Sequence, residues 1–261
     1  MALSSNTIIH FTNKISSLKG ILSSDFSIRY CQEEIHSRTD KIELLIPMVS
    51  FCDIPFSQII QHLNSYGCYG IGLSKKWAES KGLNPVLYLE KSSNLSNNII
   101  ENLLQTLKSG SPKLIIEFTL EIKKSRDFIR YLKNYQGDLK RVRKTTTKDY
   151  RFSDEREWRY VLDPSSDYLF YANVKKIPKD KIPLLKEKFN KEIQSEILSF
   201  TPNDINYIII KNESERDGII TTIEKAKRRF SHKEIKRLTS RIISTEQLRT
   251  DLKKKKTTNK T

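Results

Sequence analysis

The chain has 261 residues, with 47 Lys+Arg against 31 Asp+Glu, a formal net charge of +16. That length suits one or two domains with a real core, and 37% hydrophobic residues in recurring blocks exclude a disordered chain. No run of about 18 uninterrupted apolar residues occurs, which excludes a membrane-spanning helix.

In chain order, residues 6–11 (NTIIHF) read as a strand, and residues 13–23 as a short helix with Ile15, Leu18, Ile21 and Leu22 on one face. The segment FSIRYCQEE reads as a loop. Residues 44–52 (LLIPMVSFC) read as a buried strand interrupted by Pro47, and Pro55 opens a helix through about residue 64. Residues 69–74 and 85–89 read as strands, residues 98–108 as an amphipathic helix ended by Gly110, and residues 113–122 as β-rich, with a helix following through Tyr135. After the polar loop KTTTKDYRFSDE, residues 157–162 (EWRYVL) read as a strand. Residues 179–198 form a charged helix with Leu184, Leu185, Phe189, Ile193 and Ile197 inward, residues 206–211 a buried strand, residues 219–230 a helix, and residues 238–244 a last strand. With no Pro/Gly/Ser-rich linker, this predicts one mixed α+β domain over residues 1–252 and a disordered basic tail over 253–261.

Three cysteines without CxxC spacing argue for a reducing cytoplasm, and the N-terminus lacks the pattern of a secretory signal. Positive charge is uneven: residues 211–261 carry 16 basic against 7 acidic residues, and residues 130–151 carry 8 against 2. Such blocks attract polyanions by steering and counterion release, though a lysine-rich solvated surface has the same composition. Gly67, Gly70 and Gly72 lack the context of a phosphate loop and read as a tight turn with close backbone approach. His10, His36, His62 and His232 show no paired spacing, so no metal is expected.

Three segments remain as carriers of chemistry: His10-Phe11-Thr12-Asn13, the stretch around Ser50-Phe51-Cys52, and Glu155-Arg156-Glu157 entering a strand. Alternation would put Glu155 and Glu157 on one side of an extended segment, where like carboxylates perturb each other. The same segment also reads as a solvated strand edge whose Glu and Arg alternate into ion pairs.

The order of His-x-Thr, Ser-Phe-Cys and Glu-x-Glu resembles the ADP-ribosyltransferase fold, and the start of the chain is similar to DarT-type DNA-modifying enzymes. PMVSFCDIP, YGCYGIGLSKKW, NPVLY and DEREWRY together resemble the AbiGi abortive-infection family of phage defence. The transferase resemblance implies a split β-sheet core with inserted helices and NAD as ADP-ribose donor. Glu157 would stabilise the oxocarbenium-like state electrostatically, and Glu155 would orient or deprotonate the acceptor. By the same resemblance His10, Phe11, Thr12 and Asn13 would hold NAD, and Ser50 would brace Glu157 with Phe51 beside it. Arg29 would clamp the pyrophosphate or simply be a surface arginine, and Tyr66 or Tyr69 would stack nicotinamide or belong to the core. The acceptor would be nucleic acid, RNA before DNA, held by Arg141, Arg143, Lys144, Lys148, Tyr150, Arg151 and Phe152. Such a toxin implies an antitoxin partner, with a chaperone in three-component systems. Family naming instead makes such proteins antitoxins, which leaves a non-catalytic binder or a protein-modifying transferase as alternatives.

Overall fold

A computed structural model describes residues 5–109, 127–139, 145–163 and 177–251. Along the chain the elements are β1 (Thr7–Thr12), α1 (Ile15–Ser24), β2 (Phe26–Ser27), β3 (Arg29–His36), β4 (Lys41–Cys52), α2 (Ile59–Tyr66), β5 (Tyr69–Ser74) and α3 (Lys75–Ser80). They continue with β6 (Asn84–Pro85), β7 (Leu87–Leu89), α4 (Asn94–Ser109), β8 (Leu132–Asn134), β9 (Gln136–Leu139), β10 (Thr147–Arg151) and β11 (Glu157–Val161). The last are α5 (Ile182–Glu192), β12 (Ile197–Leu198), β13 (Ile205–Ile210), α6 (Arg216–Ala226), α7 (His232–Thr239), β14 (Ile242–Ser244) and α8 (Thr245–Asp251). The class is mixed α/β, as the sequence predicts. No helix among the described residues is long and apolar enough to cross a membrane.

The chain forms two compact units, one from the described parts of Met1–Phe26, Phe51–Ser80 and Ser199–Thr261, the other from Ser27–Ser50 and Lys81–Leu198. In the first, the strands run β14-β13-β5-β1, with β13 and β14 parallel and the other neighbours antiparallel. Its apolar core gathers Ile9, Ile54, Ile59, Leu63, Ile209 and Leu248. In the second, β3 pairs antiparallel with β4, β11 with β6, and β9 with β10 as a hairpin, while β7 and β8 are parallel. Ile35, Ile42, Leu44, Ile46, Ile100 and Leu132 form its core.

Several expectations need correction. The segment containing Arg29 is a strand, not a loop; Tyr30 and Ile35, both buried, lie on opposite faces of it, and Glu33 interrupts the face that Cys31 and Ile35 share, which masks the apolar alternation. Strand β4 runs unbroken through Pro47, which pairs opposite Tyr30 and forgoes one ladder donor. After Pro55 a 3-10 turn over Phe56–Gln58 precedes α2. The predicted helix over 179–198 ends at Glu192, and Ile197–Leu198 is extended. The predicted last strand over 238–244 is shorter because a capping box starts α7: Ser231 Oγ accepts from the Glu234 N–H, and the Glu234 carboxylate accepts from the Ser231 N–H. The helix expected to reach Tyr135 is instead a 3-10 turn over Asp127–Tyr131 followed by β8. The β-rich segment 113–122, Gly110 and the basic tail lie outside the described residues.

The glycines act as the sequence suggests. Gly67 has φ 121°, and a Cβ there would lie 2.3 Å from the Thr12 carbonyl oxygen. Gly72 lies beneath the Tyr207 ring, whose nearest carbon would be 2.4 Å from an added Cβ. Gly67→Ala is expected to destabilise the protein by at least about 2 kcal/mol, read as a shifted urea midpoint, since backbone strain and a clash add. A shift below about 0.5 kcal/mol would show that the turn relaxes.

Candidate functional site

The sequence-predicted residues divide between the two units. In the first, His10 and Thr12 share one face of β1, while Phe11 lies on the other and packs with Ile9 against the apolar core. The His10 ring meets Phe26 at 5.2 Å and Phe51 at 5.7 Å, edge to face, and Phe51 continues to Trp77 at 5.6 Å. His10 thus stands in an aromatic cluster. Asn13 is exposed, with its side chain beside the Gly67 backbone. Tyr69 is buried and its hydroxyl donates to Glu215 Oε1 at 2.7 Å, which ties β5 to the turn before α6. Tyr66 is half-buried at the end of α2.

In the second unit, Arg29 is exposed at the start of β3, beside a groove of about 780 Å³ that α5 also lines. Ser50 is half-buried in β4. Lys148 pairs with Asp138 at 2.6 Å, Tyr150 meets Phe152 edge to face at 5.3 Å, and the Arg151 guanidinium lies 5.9 Å above the Tyr135 ring. These residues belong to the β9–β10 hairpin and the 3-10 turn after it, rather than to the polar loop expected. Arg141, Arg143 and Lys144 lie outside the described residues.

Glu155 and Glu157 are both buried, at 4% exposure, but not through strand alternation. Glu155 closes a 3-10 turn, Arg156 follows with φ 46°, and the strand begins only at Glu157. From there alternation holds: Glu157, Arg159 and Val161 point inward. Arg159, fully buried, donates from Nε to Glu157 Oε1 at 2.7 Å and from Nη1 to the carbonyls of Arg130 and Leu132. Lys133 Nζ lies 2.8 Å from Glu157 Oε2, an ion pair rather than an aligned hydrogen bond. Glu33 completes the set, 3.1 Å from Arg159 Nη2 and 3.8 Å from Lys133 Nζ. The Glu157 N–H donates to the Tyr88 hydroxyl at 2.8 Å, which fixes the strand entrance.

The charges follow from this geometry. Burial works to raise the Glu157 carboxyl, but Arg159 and Lys133 overcome it and hold it down at about 2. Glu155 is pushed up to about 9, first by burial and then by the charges of Glu157 and Glu33, and its Oε1 has no hydrogen-bond partner among the described residues. With a proton on Glu155, two carboxylates face two cations and the group is neutral. Against burial, Glu157 and Glu33 raise Lys133 to about 12, so it stays charged.

A cleft of about 660 Å³ opens beside this network, lined by Glu33, Lys133, Asn134, Asp138 and Phe152 among others, with Lys133 Nζ 5.2 Å above the Phe152 ring. Glu33 and Lys133 therefore serve both network and cleft. The sequence reading missed Glu33, Lys133 and Arg159. Arg159 was readable, two residues after Glu157 on one face of a strand; the others come from distant elements. Both oxygens of Glu157 are engaged by cations, Oε1 by Arg159 and Oε2 by Lys133. No group of three His, Cys, Asp or Glu side chains suited to a metal ion occurs among the described residues.

A family model described as "Putative abortive phage resistance protein AbiGi, antitoxin" matches residues 24–211. The "Abortive phage resistance protein AbiGi" of Lactococcus lactis subsp. cremoris is 27% identical over 248 residues, which cover 87% of this chain and 99% of that protein. No solved structure matches.

Proposed function

Given that the chain belongs to the AbiGi family of abortive phage resistance proteins, we propose that it acts in that defence as the antitoxin, a non-catalytic protein that restrains a toxin by binding it. The family description names this role. The observation that carries it is the neutralised Glu157: the residue with which a transferase would meet the ribose is held by Arg159 and Lys133 as part of the fold. Expressed alone in a bacterial host, the protein is expected to leave growth unchanged. Growth arrest by the wild type, relieved by Glu157→Gln while the variant still melts cooperatively, would overturn this.

A second reading, an NAD-dependent ADP-ribosyltransferase acting on nucleic acid, is supported by the Glu155–Glu157 pair entering β11 immediately after an aromatic and basic hairpin. It predicts label transfer from NAD to RNA, DNA or lysate protein. Absence of transfer to all three would end it.

A further inference from the structure

The sequence predicts nucleic-acid contact on the β9–β10 side of the chain, but the described cations there are engaged: Lys148 by Asp138, Arg151 over Tyr135 and Lys133 within the ion network. The first unit differs. Residues 225–241 hold eight basic residues and one acidic residue, Glu234. Glu234 is occupied at the α7 cap, where it accepts from Ser231 N and Oγ and from Asn203 Nδ2. Two of the cations are also used internally. Lys227, 3% exposed, lies 2.9 Å from Asp25 and 4.5 Å above the Phe200 ring, and Arg241 donates to the Ile205 carbonyl.

The other six, Lys225, Arg228, Arg229, Lys233, Lys236 and Arg237, are exposed, and among the described residues no carboxylate lies within ion-pair distance of any of them. They form two sets with the same spacing, i, i+3, i+4: one at the end of α6 and in the turn after it, the other along α7. That spacing places each helical set on one face, and α6 and α7 contact each other. A structural account covers part of this charge, because cations at a helix C-terminus complement its dipole. It does not cover Lys233, which sits in the first turn of α7, where the dipole disfavours a cation. Nor does it explain why Arg237 adds to burial in holding Arg241 below its ordinary range, like charge beside like charge.

We infer that the exposed face formed by the end of α6 and by α7 binds the phosphodiester backbone of nucleic acid. The only Phe, Tyr or Trp within the block, Phe230, is half-buried with Arg229 5.1 Å above it, so phosphate charge rather than base stacking carries the contact. The contact is therefore insensitive to base sequence. This inference goes beyond the antitoxin reading and does not depend on it.

The test is fluorescence anisotropy with the full chain, using a fluorescent duplex DNA and a single-stranded RNA of matched length and arbitrary sequence. With six phosphate contacts, duplex affinity is expected to fall about 10³-fold between 50 and 200 mM salt. Combining Arg228→Gln, Arg229→Gln, Lys233→Gln and Lys236→Gln removes four charges. It should flatten the slope of log K against log salt by about 3.6 and weaken binding at least about tenfold at 50 mM. Lys148→Gln with Arg151→Gln should leave both unchanged. The single reversal Lys236→Glu gives the same direction should the fourfold variant melt early. The two probes compare duplex DNA with single-stranded RNA as the source of the phosphate. Failure of the wild type to bind either probe at 50 mM, or unchanged binding by Lys236→Glu and the folded fourfold variant, would overturn the inference. The growth assay reports separately on the antitoxin reading.

Discussion

Arg159→Ala is expected to destabilise the protein by about 3–5 kcal/mol, because it leaves the buried Glu157 and the half-buried Glu33 beside a single remaining cation, Lys133. The same change abandons the carbonyls of Arg130 and Leu132, which Arg159 now satisfies. Chemical denaturation of wild type and variant measures the loss. The double variant Arg159→Met with Glu157→Gln should recover much of it, since removing both charges costs less than orphaning one. A single-variant loss under about 1 kcal/mol, or a double variant no better than the single, would mean that the ion network does not hold this region together.

The second large effect concerns pH. In the unfolded chain Glu155 titrates near its ordinary value of 4.5, whereas in the fold it keeps its proton to about 9. The folded state therefore binds more protons between those limits, and stability is fully present below the lower value and lost as pH rises through the window. Between pH 5.5 and 8 the decline is up to about 3 kcal/mol, and Glu155→Gln, which stays neutral, should flatten it. Glu157 works in the opposite sense at lower pH: held at about 2, it contributes stability above 4.5 that disappears as pH falls toward 2. Thermal melting from pH 2 to 9 on the wild type and Glu155→Gln checks both; parallel curves above pH 5.5 would show that Glu155 ionises normally in the fold.

Local rules were legible in the sequence and long-range ones were not. The strand over residues 69–74 falls where its alternating apolar residues predict, and the glycine-rich stretch behaves as a tight, closely packed segment because backbone approach depends on the absence of a Cβ. The β11 strand and the importance of Glu155 and Glu157 were also readable, as was an ion pair between Glu and Arg at alternating positions. The reading of that pair as solvated failed. Whether such a pair is buried depends on Lys133 and Glu33, which reach it from β8 and β3, and on Tyr88 at the strand entrance. Strand β3 escaped notice for a related reason: Glu33 breaks its hydrophobic pattern yet is required inside by charges that sequence spacing does not reveal. Similarly, Ser231 and Glu234 spell a helix start, but the isoleucines that follow favoured an extended reading.

The Tyr207 ring over Gly72 ties the history of two positions far apart in the chain. A relative that gained even a methyl group at 72 would need to have shed the ring at 207, so the two sites should covary as small–large pairs across descendants. Neither residue alone is free to drift, and the order in which they changed would be fixed: the aromatic must shrink before the glycine can grow.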